Sequence, residues 1–318
     1  MKTSFFNEDQ SLPLVIEPTA ATGSNLAGLL QWAADEHEWI EVRLLQYGAV
    51  LLRGFDVETP QDFERFCKAI DPHLLNYAGG DSPREAITGK VYTSTTYPAH
   101  LEIPLHNELS YRLQWPRKLF FYCHEAPREG GATNLADSRR ILQAIDPEIR
   151  QQFADKQVAY TQNLHDGWGL GKSWQETFET DDRNRVEEHC RKNGIEFRWT
   201  DQGLWTRTVC PGIIEHPETG EPVWFNQADL WHLSSRGRVN QEKLLEVMGE
   251  DGLPSNATYG DGTPITTDEL EVVRRAYRET EASFPWQRGD LLVLDNVLVA
   301  HGRKPFQGQR RVLVAMSS

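Results

Sequence analysis

The chain has few cysteines and no long apolar run among its 318 residues. Its four cysteines, Cys67, Cys123, Cys190 and Cys210, lack the spacing of a disulfide framework or a zinc site, which favours reduced thiols. The polar segment 7–10 interrupts the apolar core that a signal peptide needs, and no stretch approaches the ~18 apolar residues of a membrane span. We therefore expect a cytoplasmic protein with no membrane partner.

Positive charge is also scarce. The chain has 33 Lys and Arg residues against 47 Asp and Glu residues, and a net charge of −14. Such a surface repels phosphate backbones and anionic lipids, so we expect no nucleic-acid partner. The apolar content of 39% and the 10 tryptophans are typical of a globular protein with a large core.

Strand-like and helix-like segments follow one another without an internal repeat. Helix caps and apolar spacing predict helices over 60–70, 183–192 and 267–280. Apolar and β-branched runs predict strands over 48–55, 223–233, 290–295 and 312–316. We predict a single domain over residues 1–318, with an antiparallel β core, helices packed outside it and a Trp-rich insertion at about 160–205.

The segment LHNELSY, residues 105–111, places two metal-ligand types two residues apart. In an extended strand, His106 and Glu108 would project from the same face. The chain contains two further His-x-Glu pairs, which begin at His100 and His216. His216 lies in the Pro- and Gly-rich segment EHPETGEP and His100 follows Pro98, so we predict that both are solvated surface histidines.

A third ligand must come from elsewhere in the fold. His301 ends an apolar strand, and Arg311 opens the next strand ten residues later. Two antiparallel strands joined by such a loop bring a histidine and a guanidinium to one cavity. Two histidines and one carboxylate form the facial triad that leaves open positions on ferrous iron for a 2-oxo acid and dioxygen.

This combination of HNE, a distant histidine and a following basic pair resembles the taurine catabolism dioxygenase family, within the clavaminate synthase-like superfamily. The resemblance covers roughly residues 14–317. It implies a mainly β fold with flanking helices, built on a double-stranded β-helix (jelly-roll) core, and an oxygenase that uses Fe(II), 2-oxoglutarate and O2. It also implies that the metal ligands, and so the catalytic residues, are His106, Glu108 and His301.

The same resemblance suggests the residues that bind the cosubstrate. It implies that Arg311 pairs with the distal carboxylate of 2-oxoglutarate and that Thr133 assists. Arg310 is the fallback, because adjacent strand residues face opposite sides. Where taurine dioxygenase has an arginine for the sulfonate, this chain has Ala315, so taurine is not the expected substrate.

The stretch from Asn76 to Arg84 corresponds to a part of the family fold that helps to form the substrate site. Arg84 is the proposed anchor for a substrate carboxylate, against the alternative of a surface salt bridge. Further substrate-binding candidates are Asn76, Tyr77, Asn107 and Asn226. The resemblance implies hydroxylation of an unactivated C–H bond in an amino-acid-like substrate in natural-product biosynthesis, the substrate being free or held on an acyl or peptidyl carrier protein.

Three alternatives stay open on sequence alone. Desaturation or epoxidation uses the same iron ligands and differs from hydroxylation in substrate pose. A non-catalytic jelly-roll binding protein would keep the fold and need no cosubstrate arginine. A zinc hydrolase could use the same His, Glu and His ligands.

Overall fold

A computed structural model describes residues 1–6, 11–76, 85–95 and 97–318. The strands in these ranges are β1 (Lys2–Ser4), β2 (Leu14–Glu17), β3 (Ala49–Leu52), β4 (Ala86–Thr88), β5 (Val91–Thr93), β6 (Ile103–His106), β7 (Lys118–Glu125), β8 (Glu129–Gly130), β9 (Thr133–Asp137), β10 (Val158–His165), β11 (Glu196–Thr200), β12 (Gly203–Cys210), β13 (Ile213–Glu215), β14 (Pro222–Trp224), β15 (Ser255–Tyr259), β16 (Ala282–Phe284), β17 (Leu291–Asp295), β18 (Val299–Arg303), β19 (Phe306–Gln307) and β20 (Arg311–Ser317). The helices are α1 (Leu26–Asp35), α2 (His37–Tyr47), α3 (Pro60–Ile70), α4 (Ser138–Ala144), α5 (Pro147–Lys156), α6 (Trp174–Phe178), α7 (Arg183–Lys192), α8 (Ala228–Trp231), α9 (Arg238–Met248) and α10 (Thr267–Thr280), with a 3-10 helix at Leu233–Arg236.

Two sheets pack against each other around the main core. Over the described residues, the larger sheet has the strand order β1-β2-β3-β17-β7-β20-β5-β4 and the smaller has the order β16-β9-β18-β6. Leu119 and Phe121 of β7 pack with Leu135 of β9 between the sheets, whereas Phe120 and Tyr122 face the helices. This alternation follows from the strand repeat of two residues. The arrangement is a double-stranded β-helix with flanking helices, which confirms the predicted fold class.

Helices α1, α2 and α3 cover the outer face of the larger sheet. Helix α3 begins where predicted, because Thr59 and Asp62 form a capping box and Pro60 occupies the first turn. Phe63 and Phe66 of α3 are fully buried, and burial of one such side chain contributes about 1.5–3 kcal/mol. The helices predicted over 183–192 and 267–280 are also confirmed, as α7 and α10.

The Trp-rich segment forms a layer of its own beside the jelly roll. Strands β10 and β12 pair with each other and join β11 and β15 in a separate sheet. A small core gathers under α6 and α7 and includes Trp174, Val186 and Cys190. Trp168 is 95% exposed. That residues 1–318 form a single domain with an insertion at about 160–205 stays a prediction.

The strand predicted over 223–233 is wrong beyond Trp224, where β14 ends. The Asn226 side chain accepts a hydrogen bond from Ala228 N and donates one to the carbonyl of Gly212. The backbone N–H of Gln227 donates to the Tyr160 hydroxyl. These bonds take up groups that a strand would pair, so the chain leaves the sheet and forms α8.

The cysteines agree with the sequence interpretation. All four are buried and outside any disulfide. Burial raises the pKa of the Cys123 and Cys210 thiols to about 12, so both are protonated at neutral pH. In the described part of the chain, no helix combines the length and the apolar character needed to cross a bilayer.

Candidate active site

The two predicted histidine ligands face each other across paired strands. His106 ends β6 and lies opposite His301 of β18 in the sheet register. Their ring centroids are 4.5 Å apart. Nδ1 of His106 is 2.9 Å from the carbonyl oxygen of Pro104. This contact fits a ring that donates from Nδ1 and leaves Nε2 for a metal.

Glu108 lies in a turn and not, as predicted, in the strand. Strand β6 ends at His106, and Leu109 has a left-handed φ of 58°, so the extended segment stops short of the carboxylate. The turn still directs Glu108 inward, and its Oε2 is 4.0 Å from Nε2 of His301. One ligand atom from each of His106, Glu108 and His301, here called the triad, lies within 4.8 Å of the other two. This donor set and spacing fit one metal ion.

Asn296 holds the turn that carries Glu108. Its Oδ1 accepts a hydrogen bond from the backbone N–H of Glu108 at 2.7 Å. Its Nδ2 donates to the carbonyls of Glu108 at 3.0 Å and Pro116 at 2.9 Å. Asn296 is fully buried and directly follows β17, a central strand of the larger sheet. These three hydrogen bonds, here called the Asn296 clamp, therefore fix the backbone of Glu108, a predicted ligand, to the core.

Asn107 and Asn226, which were predicted to bind the substrate, form hydrogen bonds with backbone groups. The Nδ2 atom of Asn107 donates to the carbonyl of Asn296 at 2.7 Å and to the Ser138 hydroxyl at 3.2 Å. Asn226 makes the bonds to Gly212 and Ala228 described above. Both amides are almost completely buried, and the cavities described below are lined by other residues. The bonds of Asn107 and Asn226 favour a structural role, and their assignment to substrate binding stays a prediction.

A first cavity, of about 50 Å³, lies on one side of the triad. Its lining residues are Ser94, Thr95, Ile103, His106, Phe121, Thr133, His301, Gly302, Arg303, Arg310 and Val312. The Thr133 hydroxyl accepts a hydrogen bond from Trp286 Nε1 at 2.9 Å. Its own hydrogen remains available to donate into the cavity.

Arg310 brings a positive charge to this first cavity. Within the described residues its guanidinium makes one hydrogen bond, from Nε to the carbonyl of Gly131 at 3.0 Å. Burial, and to a smaller extent the neighbouring Arg303, lower the pKa of Arg310 to about 10. Arg303 is itself engaged by the carbonyls of Tyr97, Pro98 and Leu101. An anion in the cavity would therefore be paired by Arg310.

The structure places Arg310 in the cavity and leaves Arg311, the preferred candidate, exposed. Val312 lines the cavity, and Arg310 shares its side because residues two apart in an extended chain point the same way. A register shift between Arg311 and Val312 interrupts the pairing of β20 with β7 at this point. This geometry favours Arg310 over Arg311 as the cosubstrate residue, and the choice between them stays a prediction. If Arg310 binds the cosubstrate, Val314 takes the place of Ala315 in the comparison with the sulfonate arginine of taurine dioxygenase. Val314 is also buried and apolar.

A second cavity, of about 170 Å³, lies on another side of the triad. Its lining residues are Ile103, His106, Glu108, Tyr111, Gln227, Leu230, Trp231, Arg236 and Ser255. His106 lines both cavities, so both reach the same metal position. A strand was predicted over 223–233, so Leu230 and Trp231 of α8 were not placed at a cavity, and neither was Arg236 of the 3-10 helix. Tyr111 belongs to the segment LHNELSY, which already pointed to this region.

A larger cavity, of about 450 Å³, lies between the turn after β6 and the insertion. It shares Tyr111 and Trp231 with the second cavity. Asn76, a predicted substrate residue, is exposed, lines this larger cavity and accepts a hydrogen bond from Lys90 Nζ. The predictions for Tyr77 and Arg84 lie outside the described residues.

The two other His-x-Glu histidines differ from each other. His100 is exposed, as predicted. His216 is 1% exposed, and its Nε2 is 3.0 Å from Asp295 Oδ2, so the prediction of a solvated histidine is wrong. Its Nδ1 accepts hydrogen bonds from the backbone N–H groups of Glu218 and Thr219, which gives the turn a buried centre.

A jelly roll that carries two histidines and a carboxylate beside a cationic pocket has the architecture of a non-haem iron oxygenase. Residues 9–316 match the family described as "Taurine catabolism dioxygenase TauD, TfdA family". The chain therefore belongs to this family, and it is a dioxygenase that uses Fe(II) and 2-oxoglutarate.

Known relatives agree with this membership. The chain is 38% identical over 281 residues to the dapdiamide synthesis protein DdaC of Enterobacter agglomerans. The matched region covers 88% of this chain and 85% of DdaC. It is 30% identical over 323 residues to a clavaminate synthase-like protein of Arabidopsis thaliana, with 97% and 94% covered. The crystal structure of PvcB from Pseudomonas aeruginosa superposes with a TM-score of 0.55 at 15% identity, covering 95% of this chain and 84% of that one. This last likeness concerns the fold.

Proposed function

We propose that His106, Glu108 and His301 hold the iron and that Arg310 and Thr133 bind the distal carboxylate of 2-oxoglutarate. The observation that carries this proposal is the convergence of three ligand atoms within 4.8 Å of one another, beside a cavity with a guanidinium that no described carboxylate pairs. A zinc hydrolase or a metal-free binding protein would have no use for that guanidinium.

The reaction that we propose is hydroxylation of an unactivated C–H bond in an amino-acid-like substrate. When bound, Fe(II) with 2-oxoglutarate supplies the oxygen activation, and 2-oxoglutarate is converted to succinate and carbon dioxide. His106 lines both cavities, so the cosubstrate in the first and a substrate in the second share one metal. The Gln227 side chain donates to the carbonyl of Asn107 at 2.7 Å, which ties the wall of the second cavity to the triad turn.

The substrate class draws support from the cavity and from the relatives. The second cavity, of about 170 Å³, combines Tyr111 and Trp231 with a few polar groups, which is the mixed lining of a small-molecule site. DdaC, at 38% identity, is named for dapdiamide synthesis, which supports a role in natural-product biosynthesis. The prediction that Arg84 anchors a substrate carboxylate lies outside the described residues and stays a prediction. A substrate held on a carrier protein is the second form that we propose to test.

The proposed roles are tested by single substitutions. H106A, E108A and H301A should each abolish succinate formation while the circular dichroism spectrum stays that of the native protein, because each removes one metal ligand. H100A, an exposed histidine of another His-x-Glu pair, is the matched control and should retain wild-type turnover. Full activity in H301A would refute the triad.

The proposed reaction is tested on two panels, free amino acids and carrier-loaded aminoacyl thioesters. We expect succinate formation coupled to a product that has gained one oxygen atom. Loss of two hydrogen atoms would identify a desaturase, and an oxygen added across a substrate double bond would identify an epoxidase. Turnover confined to taurine or another sulfonate would overturn the proposed substrate class.

A further inference from the structure

The second cavity is lined by a guanidinium as well as by residues of the triad. His106 and Glu108 form one part of its lining, and Arg236 and Ser255 form another. Among the described residues that line it, Arg236 is the one lysine or arginine. A molecule that fills this cavity therefore contacts both the predicted metal ligands and a guanidinium.

Arg236 is held in place by the surrounding protein. Its NH2 group donates to the Ser255 hydroxyl on β15 at 2.9 Å, and its carbonyl accepts from the Asn240 side chain at 3.1 Å. The 3-10 helix that carries it is tied to β15, since the N–H of Leu233 donates to the side chain of Asn256 at 3.2 Å. Arg236 is exposed, and the bond to Ser255 together with the anchored 3-10 helix orients its guanidinium before a ligand binds.

Arg236 also keeps its charge available. These two contacts are the ones that its groups make within the described part of the chain, and neither partner is a carboxylate. Arg274, which packs close by, shows the contrast: its Nε lies 2.6 Å from Asp229 and its NH2 group bonds Ser234 at 2.6 Å. One guanidinium in this region is thus neutralised inside the protein, and the other faces a cavity.

Arg236 and Ser255 also border a further cavity, of about 310 Å³, which is lined by leucines and includes Lys172. The pair therefore lines both the cavity beside the triad and this further cavity.

We propose that Arg236 binds the carboxylate of the substrate, and that the substrate is a free acid and not a carrier-bound thioester. The inference rests on the proposed function, because it assigns the second cavity to the substrate. A guanidinium offers a carboxylate two parallel donors, which fixes both position and orientation. A thioester at the same carbon lacks that negative charge, and its tether would have to pass Arg236.

The test compares wild-type protein with R236Q and with R275Q, in which an exposed arginine of α10 away from the cavities loses the same charge. Binding of free amino acids, their carboxamides and their N-acetylcysteamine thioesters is followed by calorimetry with 2-oxoglutarate present. The tryptophan fluorescence of the protein gives a second readout, because Trp231 lines the cavity. The Kd for 2-oxoglutarate is measured in the same samples.

We expect at least one free acid to bind wild type and R275Q equally, and R236Q at least tenfold more weakly, with an unchanged 2-oxoglutarate Kd in all three proteins. The carboxamide should bind wild type as weakly as the acid binds R236Q. Equal binding of the acid by R236Q, binding of thioesters in place of acids, or no binding by any acid would overturn the proposal. If the wild-type protein does not bind 2-oxoglutarate, the proposed function itself would instead be refuted.

Discussion

The charge of Arg310 decides what fills the first cavity. A guanidinium that is largely withdrawn from water is stabilised when a carboxylate pairs with it. Its Nε–H donates to the carbonyl of Gly131, and its terminal N–H groups make no hydrogen bond among the described residues. We propose that one carboxylate of 2-oxoglutarate pairs with Arg310, which leaves the keto acid end for the metal.

Replacement of Arg310 should therefore weaken cosubstrate binding. We expect R310A to weaken the binding free energy of 2-oxoglutarate by about 3 kcal/mol, because one partner of a charge-assisted pair is lost. This change raises the Kd roughly a hundredfold. Calorimetry on the metal-loaded protein without oxygen measures it. R311A is the control, since Arg311 is exposed, and it should change the Kd less than twofold. The reverse order of effects would restore Arg311 to the cofactor site.

His216 should contribute to stability. It is buried, its Nε2 contacts Asp295, and Asp295 in turn accepts hydrogen bonds from the N–H groups of Val297 and Leu298. H216A would leave the Asp295 carboxylate short of a partner, so we expect a loss of about 1–3 kcal/mol in the free energy of unfolding. Urea denaturation measures this loss. An unfolding midpoint equal to that of wild type would contradict the buried role.

The sequence predicted the identities of the triad residues but could not place every side chain. Two histidines and a carboxylate could be recognised from the HNE motif and the distant His301. The choice between Arg310 and Arg311 depends on strand pairing with β7, and that register shift leaves no local signal. The burial of His216 depends on Asp295, 79 residues further along the chain. Arg236 has no motif at all.

The turn after β6 carries Glu108, and Asn296 is its support. The three side-chain hydrogen bonds of Asn296 satisfy three backbone groups next to or near the triad. A buried backbone group left unsatisfied costs about 1–3 kcal/mol. The geometry of this turn is therefore maintained by a residue of the opposite half of the chain.

Removal of this clamp should loosen the metal site. We expect N296A to lower the free energy of unfolding by about 2–4 kcal/mol and to weaken Fe(II) binding, since Glu108 would lose its fixed backbone. N296D keeps the acceptor for the Glu108 N–H and loses both donors, so its effect on stability should show how much the donors contribute. Chemical denaturation and metal titration measure the two quantities. Wild-type iron affinity in N296A would contradict the positioning role.

Helices and strands were predicted best where the signal is local. The capping box of Thr59 with Pro60, and the boundaries of α7 and α10, follow from neighbouring residues. The segment 223–233 failed because Asn226 and Gln227 bond to groups far away in sequence and redirect the chain into α8. Tertiary partners of this kind cannot be inferred from periodicity.

The jelly roll brings together parts of the chain that are distant in sequence. His106 and Glu108 come from the first half, His301 lies on β18 and Arg310 directly precedes β20. Part of the wall of the second cavity comes from α8 and the 3-10 helix. The eight-stranded sheet and the helices packed on it form the framework of the described structure. Residues of the Trp-rich segment line the larger cavity. Metal and cosubstrate binding should thus depend on the folded protein as a unit.

One spectroscopic experiment tests this account. Fe(II) and 2-oxoglutarate are added to the protein without oxygen, and the visible spectrum is recorded. We predict a weak metal-to-ligand charge-transfer band in wild type, its absence in H301A, and its appearance in R310A only at much higher 2-oxoglutarate concentrations. A folded wild-type protein that shows no such band at saturating Fe(II) and 2-oxoglutarate would contradict the assignment of the triad and the first cavity.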